Sequence, residues 1–165
     1  MFFGGKIFLI SVKHFFHCKF TQHSSWLVVG LIMISEYFEQ LFEEAKKVRE
    51  NAHVPYSQFK VGAAFLTEDK KIVVGCNVEN AAYPQSQCAE ASAIGNLISQ
   101  GFNKIMEVVI IGSGNLLSSP CGGCRQRLRE FASLGTPIHM CNVDGHLKTS
   151  TLAELLPDSF GPENL

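Results

Sequence analysis

The chain has 165 residues, of which 46% are hydrophobic and 18% charged, with a formal net charge of −1. That length can bury the core of one ordinary domain without disulfide staples, and that composition excludes a disordered tail. Charge is unevenly spread: residues 1–35 hold three lysines and no acid, which leaves 11 basic against 15 acidic side chains beyond them, an acidic body with no electrostatic footprint for a polynucleotide.

Residues 1–34 form an N-terminal extension unlike the rest of the chain. They are rich in Phe, Ile, Val and His, and their apolar stretches are broken by Lys13, His14, His17 and Lys19. The longest clean apolar run, Trp26 to Ile34, falls short of the roughly 20 residues that cross a bilayer. A secretory leader would want a small-residue cleavage site after one apolar region, for which Gly30-Leu31-Ile32-Met33 is a weak candidate. We read Met33 as the natural start, with the upstream residues either an artefact of start-site choice or a membrane-associating or targeting extension. With two of them in a C-x-x-C and no convincing secretory signal, the six cysteines are expected as reduced thiols in the cytoplasm.

From residue 35 the pattern becomes regular. Ser35 is placed to cap a helix running to about Asn51, with Glu36 and Glu39 in its first turn facing the positive helix end. Tyr37, Phe38, Leu41, Phe42, Ala45 and Val48 fall on one face at helical spacing, a core stripe. Pro55-Tyr56-Ser57 makes a turn. Phe59–Leu66 and Lys71–Asn77 read as two strands of a hairpin around Glu68-Asp69-Lys70. A loop over 78–87 leads to a helix from Cys88 to about Gln100, stopped by Gly101. Met106–Ile111 is an apolar run of the kind buried on both faces of a sheet. Pro120 opens another helix through about Leu134, closed by Gly135. Ile138–Val143 and His146–Thr149 are strands joined at Asp144-Gly145, and Thr151 caps a last short helix that Pro157 ends. The order α-β-β-α-β-α-β-β-α predicts one α/β domain over 35–165, a three-layer α-β-α sandwich around a mixed five-stranded sheet.

The chemistry gathers at two of the predicted helix starts. Cys88-Ala89-Glu90 opens one, and Pro120-Cys121-Gly122-Gly123-Cys124 opens the other. Thiolates are stabilised at helix N-termini, where unpaired N–H groups and the dipole favour negative charge. Two such helices starting at one sheet edge would bring three sulfurs to a point. Three protein ligands leave a fourth tetrahedral position open for water, the arrangement of a catalytic zinc. Glu90, two residues after a ligand, is near enough to move that water's proton without binding the metal. A C-x-x-C alone also fits a redox pair, and a closed structural zinc would want a fourth ligand. Cys18, Cys76 and Cys141 read instead as inert buried thiols, and His53, His139 and His146 as structural.

The pattern C-A-E followed by P-C-x-x-C matches the signature of zinc deaminases with a glutamate proton shuttle. Across about residues 36–160 the chain resembles the cytidine deaminase family in its three-cysteine form. The match includes Pro-Tyr-Ser-Gln-Phe-Lys-Val-Gly-Ala at 55–63, Gly-Cys-Asn-Val-Glu-Asn-Ala-Ala-Tyr-Pro at 75–84, and Pro-Cys-Gly-Gly-Cys-Arg-Gln at 120–126. The resemblance implies hydrolytic deamination of free cytidine and 2'-deoxycytidine, one zinc ion per subunit on Cys88, Cys121 and Cys124, and Glu90 as the proton carrier. It further implies that Asn77 and Glu79 bind the ribose hydroxyls, that Phe59 packs on the pyrimidine, and that the Ala89 backbone and Glu90 read the base edge. Phe160 resembles the aromatic that reaches a neighbouring subunit's site, in a homotetramer with shared active sites.

One position departs from the pattern. Many three-cysteine relatives carry Arg directly after Cys-Ala-Glu, where this chain has Ala91. Three thiolates and a hydroxide around a divalent zinc leave a charge of about −2 to be offset. Helix dipoles supply part of the offset, and Arg125 is expected to supply more by turning inward. The activity profile is therefore expected to lie at more alkaline pH than that of an Ala91→Arg variant; identical pH–rate profiles would contradict this. The zinc motif does not separate a cytidine deaminase from a blasticidin S type deaminase, although Asn77, Glu79 and the Tyr-Ser-x-Phe segment tilt toward a ribosyl pyrimidine. From another class, a non-catalytic zinc or redox module has no use for Glu90.

Overall fold

A computed structural model of the chain describes residues 35–165. The extension over 1–34 and Cys18 lie outside the described residues. The elements in chain order are α1 (Phe38–Arg49), β1 (Gly62–Thr67), β2 (Ile72–Cys76), α2 (Ala89–Ser99), β3 (Ile105–Ile111), α3 (Gly122–Phe131), β4 (Pro137–Asn142), β5 (Gly145–Thr151) and α4 (Leu152–Leu155), with short 3-10 turns at Tyr83–Gln85 and Pro162–Asn164. The sheet runs β2-β1-β3-β4-β5; β3 and β4 are parallel and the other pairs antiparallel. This is the expected mixed five-stranded sheet.

Alternation along the central strands builds the two outer layers. Ala63, Phe65, Val108, Ile110 and Ile138 face α2 and α3, where Ala93, Leu97 and Leu128 close the larger core. Ala64, Leu66, Val109 and Ile111 face the opposite way, against Phe38, Leu41, Phe42 and Ala45 of α1. The α1 residues recur at i, i+3, i+4 and i+7, as an amphipathic helix on a sheet requires. Gly75 on β2 permits the close approach of α2: a Cβ there would fall 2.6 Å from the Ala89 carbonyl oxygen and overlap the Ala93 nitrogen. The glycine thus sets how deep the helix carrying Glu90 lies on the sheet.

Several boundaries shift for identifiable reasons. Ser35 is not the helix cap; Tyr37 takes that place with no side-chain cap bond. The Ser35 hydroxyl accepts from the Tyr37 N–H at 3.1 Å and donates to Glu107 Oε2. Glu107 is a buried β3 carboxylate that also pairs with His139 Nε2 at 3.0 Å, while His139 Nδ1 meets Thr149 Oγ1 at 2.7 Å. A buried carboxylate demands partners, and this one draws the serine away from the helix end. His139 is structural, as expected. Strand β1 starts at Gly62 and not at Phe59, because the Asn77 amide takes the place of a strand partner: its Nδ2 donates to the Phe59 carbonyl and its Oδ1 accepts from the Val61 N–H, both at 2.8 Å. Helix α3 stops at Phe131, three residues early, since Ala132 turns extended and pairs with Ile105. At α4 the expected cap is present as a full capping box between Thr151 and Glu154.

Among the described residues no helix is long and apolar enough to cross a membrane.

Candidate metal centre and active site

Register brings the two helix starts together. Cys76 at the end of β2 pairs with Gly62, and Gly62 pairs on its other side with Ile111 at the end of β3. The chain leaves both strands at the same sheet edge, so the loops after them deliver α2 and α3 to one place. Cys88 and Cys121 are the N-caps of those helices, in nearly the same extended conformation (φ −69°, ψ 157° and φ −65°, ψ 164°), and neither side chain is used in capping. Cys124 stands at the third position of α3 and is fully buried. The C-x-x-C spacing therefore places two sulfurs on one face of the first turn.

The three sulfurs lie within 4.8 Å of one another, and those of Cys88 and Cys121 are 3.8 Å apart. Two sulfurs held at about 2.3 Å by a tetrahedral zinc would stand about 3.8 Å apart, so this donor set fits that metal. A two-cysteine redox pair does not account for the third sulfur. The Cys88 thiol is pulled down to about 6, chiefly by a hydrogen bond from Cys124, with smaller help from Cys121 and the Arg127 guanidinium. Cys124 is pushed well above the ordinary thiol range by that same sharing and by burial. One thiolate is thus already favoured at neutral pH before any metal arrives. Cys76 and Cys141 lie apart from the group, and burial raises both, Cys141 to about 12; they are inert thiols, as expected.

Glu90 sits in the first turn of α2 and is only 4% exposed. Burial raises its carboxyl above the usual 4.5, and the charge of Cys88 adds to the effect. It lines a cleft of about 730 Å³, together with Phe59, Asn77, Glu79, Cys88, Ala89 and Cys121. That volume suits a small molecule. Seven of the nine expected site residues thus share one cavity, and Cys124 joins them through the sulfur group.

The expected ribose contacts have prior engagements. Asn77 braces residues 59–61. The Glu79 carboxylate accepts from the N–H groups of Tyr56 and Ser57 at 2.9 and 3.1 Å and from the Ser57 hydroxyl, and the last of these chiefly holds its carboxyl below the usual range. Glu79 holds the Pro55–Phe59 turn and Asn77 the residues that follow it; both line the cleft and both keep further hydrogen-bonding capacity. Phe160 is not brought to this cleft: the residue is 59% exposed and its carbonyl accepts from Gln126 Nε2 at 2.9 Å.

Arg125 does not turn toward the sulfurs. Its guanidinium donates to the carbonyls of Pro120 and Leu155 and to the Ser119 hydroxyl, at 2.8–2.9 Å. It ties down the loop before α3 because three acceptors converge there. The cation that acts on Cys88 and Glu90 is Arg127, a residue the spacing did not single out. The loop Ser113–Ser119 also lines the cleft. Its position after β3, between the strand end and a helix start, is the signal that could have marked it.

Comparison with known proteins agrees with this geometry. The profile of the cytidine and deoxycytidylate deaminase zinc-binding region matches residues 35–139. The cytidine deaminase of Sporosarcina psychrophila is 42% identical over 127 residues, covering 77% of this chain and 93% of that protein. The cytidine deaminase of Halalkalibacterium halodurans is 36% identical over 127 residues, covering 77% and 96%. Among solved structures, the cytidine deaminase from Burkholderia pseudomallei has a TM-score of 0.70 at 38% identity, covering 74% of this chain and 98% of that one. The cytidine deaminase from Mycobacterium tuberculosis has a TM-score of 0.67 at 36% identity, covering 75% and 97%. With its sheet order, its three-sulfur group and more than a third of its residues shared over nearly the full length of these proteins, the chain belongs to the cytidine deaminase family of zinc-binding enzymes.

Proposed function

We propose that the chain catalyses the hydrolytic deamination of free cytidine and 2'-deoxycytidine, giving uridine or 2'-deoxyuridine and ammonia. The observation that carries this reading is a buried carboxyl, Glu90, beside three converging thiols at the wall of a cleft large enough for a small molecule. We assign Cys88, Cys121 and Cys124 as the ligands of one zinc ion per subunit. Zinc held there would supply a water acidified to near-neutral pKa, the nucleophile that C4 of cytosine requires. Glu90 accepts the proton of that water and delivers it to ring N3. The same carboxyl then takes the proton of the new C4 hydroxyl and gives it to the exocyclic amine, so that the C4–N bond breaks, ammonia leaves and the C4 carbonyl of uridine remains. Burial raises the proton affinity of this carboxyl above that of an exposed glutamate, in the direction a proton carrier needs.

The Ala89 backbone and Glu90 are assigned to the base edge, Phe59 to the ring face, and Asn77 and Glu79 to the ribose. Because the latter pair also brace the cleft wall, loss of either disturbs that wall, and a substrate ratio isolates ribose recognition. The ratio of kcat/KM for cytidine over free cytosine is expected to fall about 10–100-fold in Glu79→Ala, the scale of a lost charged hydrogen bond. A ratio equal to that of the parent would contradict the assignment.

We place the catalytic unit in residues 35–165 and expect a homotetramer in which Phe160 completes a neighbouring subunit's site. Five free thiols among the described residues and the acidic charge of the body support a cytoplasmic enzyme acting on free nucleosides and not on a nucleic-acid polymer.

A further inference from the structure

Helix α3 does more than carry two of the sulfurs. Its outer face binds the segment beyond α4. Arg129 is charged yet only 8% exposed, and a buried cation persists only where it is paired. Its Nε donates to the Ser159 hydroxyl at 3.0 Å, and its Nη2 pairs with Glu163. One turn earlier, Gln126 Nε2 holds the carbonyl of Phe160. Between these anchors lies Gly161, where a Cβ would stand 2.6 Å from both Arg129 Cζ and Glu163 Oε2. The chain therefore passes directly over the guanidinium, and a side chain at this position would push the Arg129 and Glu163 ends aside. The Gly161 N–H is in turn capped by Asn164 Oδ1 at 2.7 Å. The backbone of this segment is held at each of these points, while the one large aromatic side chain it carries, Phe160, stays exposed.

We propose that Arg129 is a positioning residue: by clamping Ser159 and Glu163 onto α3 it fixes the backbone from which the exposed Phe160 ring reaches the substrate cleft of a second copy of this chain. The inference rests on the assignment of Phe160 as a shared aromatic. It goes beyond that assignment by naming what orders the ring in advance. A ring carried on an unclamped tail would occupy its working place only part of the time, and apparent substrate affinity falls by that fraction. The turnover step would be untouched, because no atom of Arg129 belongs to the sulfur group or the cleft.

The test uses the full zinc-loaded chain and four variants: Arg129→Met, Phe160→Ala, the double variant, and Glu163→Gln. Arg129→Met is expected to raise KM for cytidine about tenfold with kcat and zinc content unchanged, and to speed amide hydrogen exchange over residues 156–165. Glu163→Gln keeps an acceptor oxygen and should retain most of the parent affinity. In the double variant KM should be no higher than in Phe160→Ala alone, since the clamp acts only through the ring. Additive KM effects would overturn the proposal, as would a parent-like KM in Arg129→Met while Phe160→Ala is impaired. A parent-like KM in Phe160→Ala would remove the shared-aromatic assignment itself and the proposal with it. Should Arg129→Met fail to fold, Gly161→Ala breaks the same clamp from the tail side with Arg129 in place, and the same comparisons apply.

Discussion

Glu90→Gln is expected to lower kcat for cytidine by about 10²–10⁴-fold, the range general acid–base catalysis supplies, and to leave zinc content unchanged. Glutamine matches the glutamate in shape and fits the same buried place in α2, but it cannot take a proton from water and return it to the substrate. The three thiols do not depend on it for their positions, which are set by the starts of α2 and α3. The sign of the stability change follows from the raised pKa. In the folded protein Glu90 binds its proton more tightly than a carboxyl at the ordinary value of 4.5. The protonated form favours folding, so this contribution is full below pH 4.5 and is lost as pH rises through the folded pKa. At neutral pH the metal-free glutamine variant should therefore melt no lower than the metal-free parent. The gap should close on acidification. Full turnover in Glu90→Gln, or its loss together with the zinc, would contradict the role given to this residue.

Cys124→Ser is expected to abolish stoichiometric zinc binding and with it both turnover and part of the stability. The hydroxyl is a poor substitute because it stays protonated at neutral pH and lacks the soft sulfur that zinc favours. Two of the three sulfurs remain, both at exposed helix caps, and the serine hydroxyl can still donate to Cys88 but cannot replace the third thiolate. A metal that binds only the folded state stabilises it by mass action, about 4 kcal/mol when free metal exceeds Kd a thousandfold. The parent stripped with a chelator should fall to a melting temperature near that of the variant. Cys141→Ser and Cys76→Ser, which alter thiols outside the group, should keep their zinc. Metal analysis after dialysis reads all three. Full zinc in Cys124→Ser would mean that the metal sits elsewhere.

Much of this site was legible in the sequence, because its parts are local. A cysteine just before an apolar helix pattern, a C-x-x-C after a proline and the alternating strands each carry their own signal, and sheet register needed only to bring two loops to one edge. The features that were not legible depend on contacts between distant segments. Ser35 has the chemistry of a cap, but a buried carboxylate 72 residues away claims its hydroxyl. Asn77 was expected at a sugar, and it also replaces the strand ladder at residues 59–61, which shortens β1. Three arginines at 125, 127 and 129 look alike in the sequence. The path of the C-terminal segment divides them: Arg125 ties the loop before α3, Arg129 ties the tail, and Arg127 alone is left to offset the thiolate charge that Ala91 does not. No periodicity assigns those three tasks.

Release of ammonia from cytidine by the full zinc-loaded chain, followed together with uridine formation, tests the central claim most directly. Equal amounts of the two products are expected, with one bound zinc per subunit and no reaction above background in a Glu90→Ala control that retains its metal. A folded, zinc-replete protein that leaves both cytidine and 2'-deoxycytidine intact would contradict the claim.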